Sequence, residues 1–169
     1  MSDNKLDSRE EQRYAELQKM ALDFARSGET EELYKMIAAG LPVNLADEKG
    51  QTLLMLASYN GYYETATMLL KSGADVDQKN DRGQTPLGGV AFKGYPEIAE
   101  LLIQYGANIN SNNGGGMMPI HYASMFGRKN VIEVVDKHGA SIKGSRESKL
   151  NFMPVLAKMV GKVRNLLDR

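Results

Sequence analysis

Residues 85–110 read TPLGGVAFKGYPEIAELLIQYGANIN. Thirty-three residues earlier, 52–77 read TLLMLASYNGYYETATMLLKSGADVD, and thirty-three later, 118–143 read MPIHYASMFGRKNVIEVVDKHGASIK. The three stretches align without a gap. Gly28, Gly61, Gly94 and Gly127 form one series at this period, and Gly40, Gly73, Gly106 and Gly139 form a second. Gly50, Gly83 and Gly116 form a third. Thr52 and Thr85 keep step until Met118 breaks the series, and Pro86 matches Pro119. Apolar positions also repeat: Leu54, Leu87 and Ile120; Leu69, Leu102 and Val135; Val43, Val76, Ile109 and Ile142. A fixed period of this length marks a chain of stacked supersecondary units, none of which buries its apolar face alone.

The chemistry inside each unit is consistent. TLLMLASYN, TPLGGVAFK and MPIHYASMF each read as a short helix. Thr caps the first two, and proline suits a first helical turn. Gly61, Gly94 and Gly127 stand where a C′ glycine ends that helix. A second apolar-periodic run follows (YETATMLLKS, PEIAELLIQY, KNVIEVVDKH) and stops at Gly73, Gly106 or Gly139. The polar segments after it, DVDQKNDRG and NINSNNGGG, suit a turn excursion. Each unit is therefore helix, turn, helix and hairpin-like loop.

This pattern resembles the ankyrin repeat, whose period and T-P-L-H-x-A signature match TPLGGVA (85–91), as closely TLLMLAS (52–58) and, less closely, MPIHYAS (118–124). Through RGQTPLGG and AFKG it resembles in particular the small stand-alone ankyrin proteins of bacteria. The resemblance implies an all-α solenoid with helical caps at both ends. The expected organisation is a polar N-terminal extension over 1–13, a degenerate capping repeat at 14–46 and repeats at 47–79, 80–112 and 113–143. A C-terminal cap over 144–169 completes it. In the first unit Asp23 and Phe24 replace the usual apolar-Ala pair, as suits a cap with a polar outer face. The N-terminal helix, about 6–26, reads as an extra cap or a partner-binding arm. The apolar stripe of 155–167 reads as a seal on the last repeat, or as a basic amphipathic helix for a membrane or partner.

Composition narrows the function. The 169 residues hold no cysteine, which removes disulfides and thiolate chemistry. A formal net charge of zero argues against a general nucleic-acid binder, which needs a basic surface. Charge is uneven, with nine acids against six bases over 1–35 and six bases against two acids over 144–169. The polar N-terminus lacks the apolar core of a secretory signal, and no apolar run is long enough to span a bilayer. The expectation is a monomeric cytoplasmic protein that binds neither nucleic acid nor membrane.

No catalytic set can be assembled. His121 and His138 are the only histidines, and neither has ligand-spaced companions, so no metal and no cofactor is expected. His121 stands at the histidine of the ankyrin signature, and the resemblance implies a structural hydrogen-bonding role. His138, beside Gly139, is expected to gain from the dipole of its helix C-terminus. Gly61, Gly94, Gly127, Gly73, Gly106 and Gly139 are structural. The chain is read as no enzyme.

What remains is a surface. The resemblance implies a partner on the concave face and hairpin tips. The most exposed positions there are the two before each inner-helix glycine: Arg26 and Ser27, Tyr59 and Asn60, Phe92 and Lys93, Met125 and Phe126. Tyr59, Phe92 and Met125 lie 33 apart and should form a row, with Phe126 beside it. They pack either between inner helices or as anchors for a partner protein, with Asn60, Lys93, Lys49, Arg82 and Gln84 as the polar rim.

Two glycines stand out in RGQTPLGGVAFKG (82–94). Gly83 and Gly88 have the spacing of a phosphate-binding loop, but Gly89 follows instead of Lys and no Ser or Thr comes after it. On the 33-residue period Gly83 is a turn glycine, while Gly88 and Gly89 lie inside a helix, where each costs about 0.8–1 kcal/mol relative to Ala. The expectation is that they bring a neighbouring backbone or a partner close beside Phe92. The SNNGGG run at 111–116 is expected to be mobile. The alternatives are an adaptor for nucleic acid or membrane working through the basic C-terminal helix and, less favoured, an enzyme.

Overall fold

Thr52 and Thr85 each sit in extended backbone just before a helix, and their Oγ1 atoms accept the N–H of Met55 (3.1 Å) and Gly88 (3.2 Å). Each cap satisfies a donor that the first helical turn leaves open. The computed structural model describes residues 8–139, and the C-terminal cap expected at 144–169 lies outside them. Among the described residues there are eight helices and no strand. They are α1 (Ser8–Ser27), α2 (Thr30–Ala38), α3 (Leu53–Tyr59), α4 (Tyr63–Lys71), α5 (Pro86–Lys93), α6 (Pro96–Gln104), α7 (Pro119–Met125) and α8 (Lys129–Lys137). One isolated antiparallel bridge joins Ala46 and Thr52 at a hairpin base.

Helices α1, α3, α5 and α7 stack as an inner row, and α2, α4, α6 and α8 as an outer row. This is an all-α solenoid, as the 33-residue period predicts. The core lies between the rows. Leu69, Leu102 and Val135, one per unit, are fully buried, each such burial contributing roughly 1.5–3 kcal/mol. Leu54, Leu87 and Ile120 form the matching inner series. Asp136, which breaks the apolar register of Leu70 and Ile103, is exposed.

The glycine series do two jobs at once. All three have positive φ, and no described non-glycine residue does. The inner-helix glycines are also roofed by the following unit: Tyr62 covers Gly28, Tyr95 covers Gly61 and Arg128 covers Gly94. A Cβ on Gly94, whose φ is 90°, would lie 2.6 Å from Arg128 Cδ. Arg128 Nε donates to the Phe92 carbonyl at 3.0 Å, tying the units together. At the hairpin bases a second ladder runs between units. The Asp75 N–H donates to Asn44 Oδ1 (2.8 Å) and the Asn108 N–H to the Asp77 carboxylate (3.0 Å).

Helix α1 runs unbroken over Ser8–Ser27, close to the N-terminal helix expected at about 6–26. Only Ala21 and Ala25 are buried along it. Its C-terminal part serves as the inner helix of the first unit, and Tyr14, Leu17 and Met20 remain exposed. Asp23 is exposed and pairs with Arg26 at 2.9 Å.

Candidate functional site

The candidate face is formed by the hairpin tips and the inner helices α3, α5 and α7, including their C-terminal ends. Each tip needs its own cap, because its amides point into the loop. Asp47 accepts the N–H of Lys49 (2.9 Å) and Gln51 (3.0 Å), and Asn80 Oδ1 accepts those of Arg82 and Gln84 (both 3.0 Å). Burial opposes ionisation of Asp47, but the Gln51 and Lys49 N–H groups and the Arg26 guanidinium (3.0 Å) outweigh it and hold the carboxyl below its usual range.

The third tip departs from the period. By spacing, Asn113 should play the part of Asp47 and Asn80. Its backbone does, since its N–H donates to the Met117 carbonyl at 2.7 Å as those of Asp47 and Asn80 do to Gln51 and Gln84. The side-chain cap comes instead from Asn112, whose Oδ1 accepts the Gly114 (2.9 Å) and Gly116 (3.1 Å) N–H groups. The Asn113 carboxamide is thereby free to turn inward, and it is 2% exposed. Its Oδ1 accepts the Thr85 N–H (2.6 Å) and the Thr85 hydroxyl (2.9 Å), and its Nδ2 donates to the Ser111 carbonyl (2.8 Å). The run expected to be mobile is thus anchored through Ser111, Asn112 and Asn113.

This explains Gly88. A Cβ there would overlap the Asn113 carboxamide oxygen. What approaches Gly88 is therefore a side chain of the next hairpin, not the backbone or partner expected from the sequence. The preceding unit uses the same threonine cap, through Thr52, and the following unit solves the problem differently. In α7, Met118 cannot cap, and His121 Nδ1 accepts the Met118 N–H at 3.0 Å. Burial holds the His121 imidazole below its ordinary pKa. His138 ends α8, as expected, but its Nε2 lies 2.9 Å from Glu100 Oε1 on α6, so it also meets a carboxylate of the adjacent unit.

Gly89 is different. A Cβ there would meet only the Tyr59 ring, 3.3 Å away at Cδ2. Above it lies an open notch of about 440 Å³. Its walls include Met55, Tyr59, Phe92, Tyr122 and Phe126, and its rim includes Gln51, Arg82 and Gln84. The Tyr59 and Phe92 rings stack with centroids 6.3 Å apart and planes 8° from parallel. Phe92 meets Phe126 edge-on at 4.5 Å. Lys93 Nζ sits 5.0 Å over the Tyr59 ring. Tyr59 is 42% and Phe126 40% exposed.

Of the nine residues singled out in the sequence, the structure brings Tyr59, Phe92, Phe126, Arg82 and Gln84 to this notch. Lys93 joins through its contact with Tyr59. Asn60 is exposed, but its Nδ2 is used on the Leu56 carbonyl at 2.7 Å. Lys49 stands on its tip, where its carbonyl accepts the Asp81 N–H at 3.1 Å. Met125 is half-buried and outside the notch lining. The row therefore ends on Phe126, one residue beyond the position that strict spacing assigns to Met125. Tyr122 was missed in the sequence. Its hydroxyl donates to the Asn113 carbonyl at 3.1 Å, and burial raises its pKa against a hydrogen bond with Gln84.

No helix among the described residues is long and apolar enough to cross a membrane. Family models of ankyrin repeats match residues 36–87 and 90–135. An ankyrin repeat protein of Pseudomonas aeruginosa is similar over 46 residues at 46% identity, a stretch covering 27% of either chain. The match thus spans about a quarter of that relative's length. With the period, the roofed glycines and the two helical rows, these matches establish that the chain belongs to the ankyrin repeat family.

Proposed function

We propose that the protein is a scaffold with no chemistry of its own, which takes a partner protein on its concave face and hairpin tips. Restraint of an enzyme or regulator in the cytoplasm, by a monomer, is the use that suits a small ankyrin protein. Ankyrin repeats are a protein-protein interaction module, which supports the general class. The observation that carries the finer reading is the row of Tyr59, Phe92 and Phe126 beside a notch, half-buried at Phe92 and exposed at Tyr59 and Phe126. Aromatic side chains held by their neighbours lose little freedom on binding and supply most of an interface's energy. Arg82, Gln84, Lys49, Lys93 and Asn60 supply a polar rim.

Pull-down from the native host with the full chain tests this. Tyr59→Ala and Phe92→Ala are expected to remove the captured partner while leaving the thermal midpoint nearly unchanged for Tyr59→Ala. Loss of stability with capture intact would make the row part of the core and end the proposal.

A further inference from the structure

Gly88 has a reason within the fold and Gly89 has none. Next to a residue whose missing Cβ makes room for Asn113 stands a second helix-interior glycine, half-buried, whose vacant side faces only the Tyr59 ring and the open notch. The notch is within the size range of pockets that receive small groups. Its walls are aromatic and apolar. Arg82 is the single charged residue in its lining, and its guanidinium has no ion pair or hydrogen bond among the described residues. On the preceding tip the carboxylate of Asp47 is engaged by Arg26 and by its own loop. Lys93 adds a second positive charge beside Tyr59.

We propose that the notch over Gly89 receives one aromatic or large aliphatic side chain of a partner polypeptide, and that Arg82 holds a carboxylate flanking that side chain. An aromatic wall with a helix backbone as floor fits a flat apolar group. A guanidinium at the mouth, without a protein partner, fits a carboxylate through two parallel N–H···O bonds. The partner segment is therefore acidic around a single apolar anchor. This rests on the concave-face reading above and specifies the partner's chemistry.

The test uses the ¹⁵N-labelled full chain and three capped synthetic pentapeptides. One is acidic around a central phenylalanine, one is its lysine counterpart, and one is acidic around a central alanine. The first is expected to shift the amide signals of Gly88, Gly89 and Phe92. It should bind about tenfold more tightly than either control, as the loss of one charge-assisted contact or one buried ring predicts. Arg82→Ala should reduce that preference for acidic over basic peptide, and Gly89→Ala should weaken binding by filling the floor without lowering the thermal midpoint. Equal binding of all three peptides overturns the proposal. So do shifts confined to other residues, the absence of any shift at millimolar peptide, or indifference to Gly89→Ala. A natural partner that is lost on Tyr59→Ala but retained by Gly89→Ala overturns the notch and leaves the scaffold standing. A partner retained by both overturns the scaffold itself.

Discussion

Replacing Gly88 with alanine is expected to destabilise the protein, although helix propensity by itself predicts a gain of about 1 kcal/mol. The added methyl would occupy the site of the Asn113 carboxamide oxygen. That oxygen accepts two hydrogen bonds from Thr85, one of them from a backbone N–H at a fully covered helix start. Displacing it forfeits two bonds of about 0.5–1.5 kcal/mol each and leaves the buried N–H unpaired, at a cost of about 1–3 kcal/mol. Set against the propensity gain, the net loss is about 1–5 kcal/mol. For a chain of this size that lowers the thermal midpoint by roughly 2–4 °C for each kcal/mol. Urea and thermal denaturation of Gly88→Ala, Asn113→Ala and the double variant would measure it. In the Asn113→Ala background the obstacle is gone, so Gly88→Ala should there become neutral or stabilising. A stabilising Gly88→Ala in the unaltered chain, or the same effect in both backgrounds, would refute the assignment of Asn113 as the partner of Gly88.

Three further outcomes follow from the capping geometry. Thr85→Ala should cost more than Thr52→Ala, which removes an ordinary cap of about 1 kcal/mol, because Thr85 Oγ1 also donates to Asn113; equal midpoint losses would contradict this. His121 accepts a hydrogen bond as the neutral imidazole, and burial depresses its pKa, so its contribution is full above its unfolded value of 6.5 and is lost as pH falls through the lower folded value. His121→Gln keeps an acceptor at the same helical position without titrating, so its midpoint should fall less between pH 7 and pH 5 than that of the unaltered chain, and parallel curves would exclude the role. Asn112→Ala should raise amide exchange at Gly114 and Gly116, which donate to its side chain, and leave the Thr85 amide protected.

The paired helices, the glycines between them and the threonine caps were legible because each depends on neighbours within one unit. Thr85 needs only Gly88 three residues on to form its cap. The glycine series needs only a left-handed turn, and its φ values follow. The candidate site was legible in part. Tyr59 and Phe92 were placed by the period, but the choice of Phe126 over Met125 depends on how α7 ends, which spacing does not encode. The N-terminal helix expected at about 6–26 was legible for the same local reason as the caps: nothing breaks a helix between Ser8 and Ser27.

By itself the sequence determined the class of architecture, since a 33-residue period in glycine, proline and leucine admits few ways of burying its apolar faces. It also marked Gly88 and Gly89 as costly and in need of an explanation. Only the tertiary structure separated them. Asn113 is 28 residues from Thr85 and stands in register with Asp47 and Asn80, which cap their own tips. Its side chain reaches α5 because the tip cap moves by one residue to Asn112, and such a shift arises from three-dimensional loop closure. That contact uses up the space at Gly88 and leaves the space at Gly89 open to solvent, the physical difference between a packing glycine and the floor of a notch.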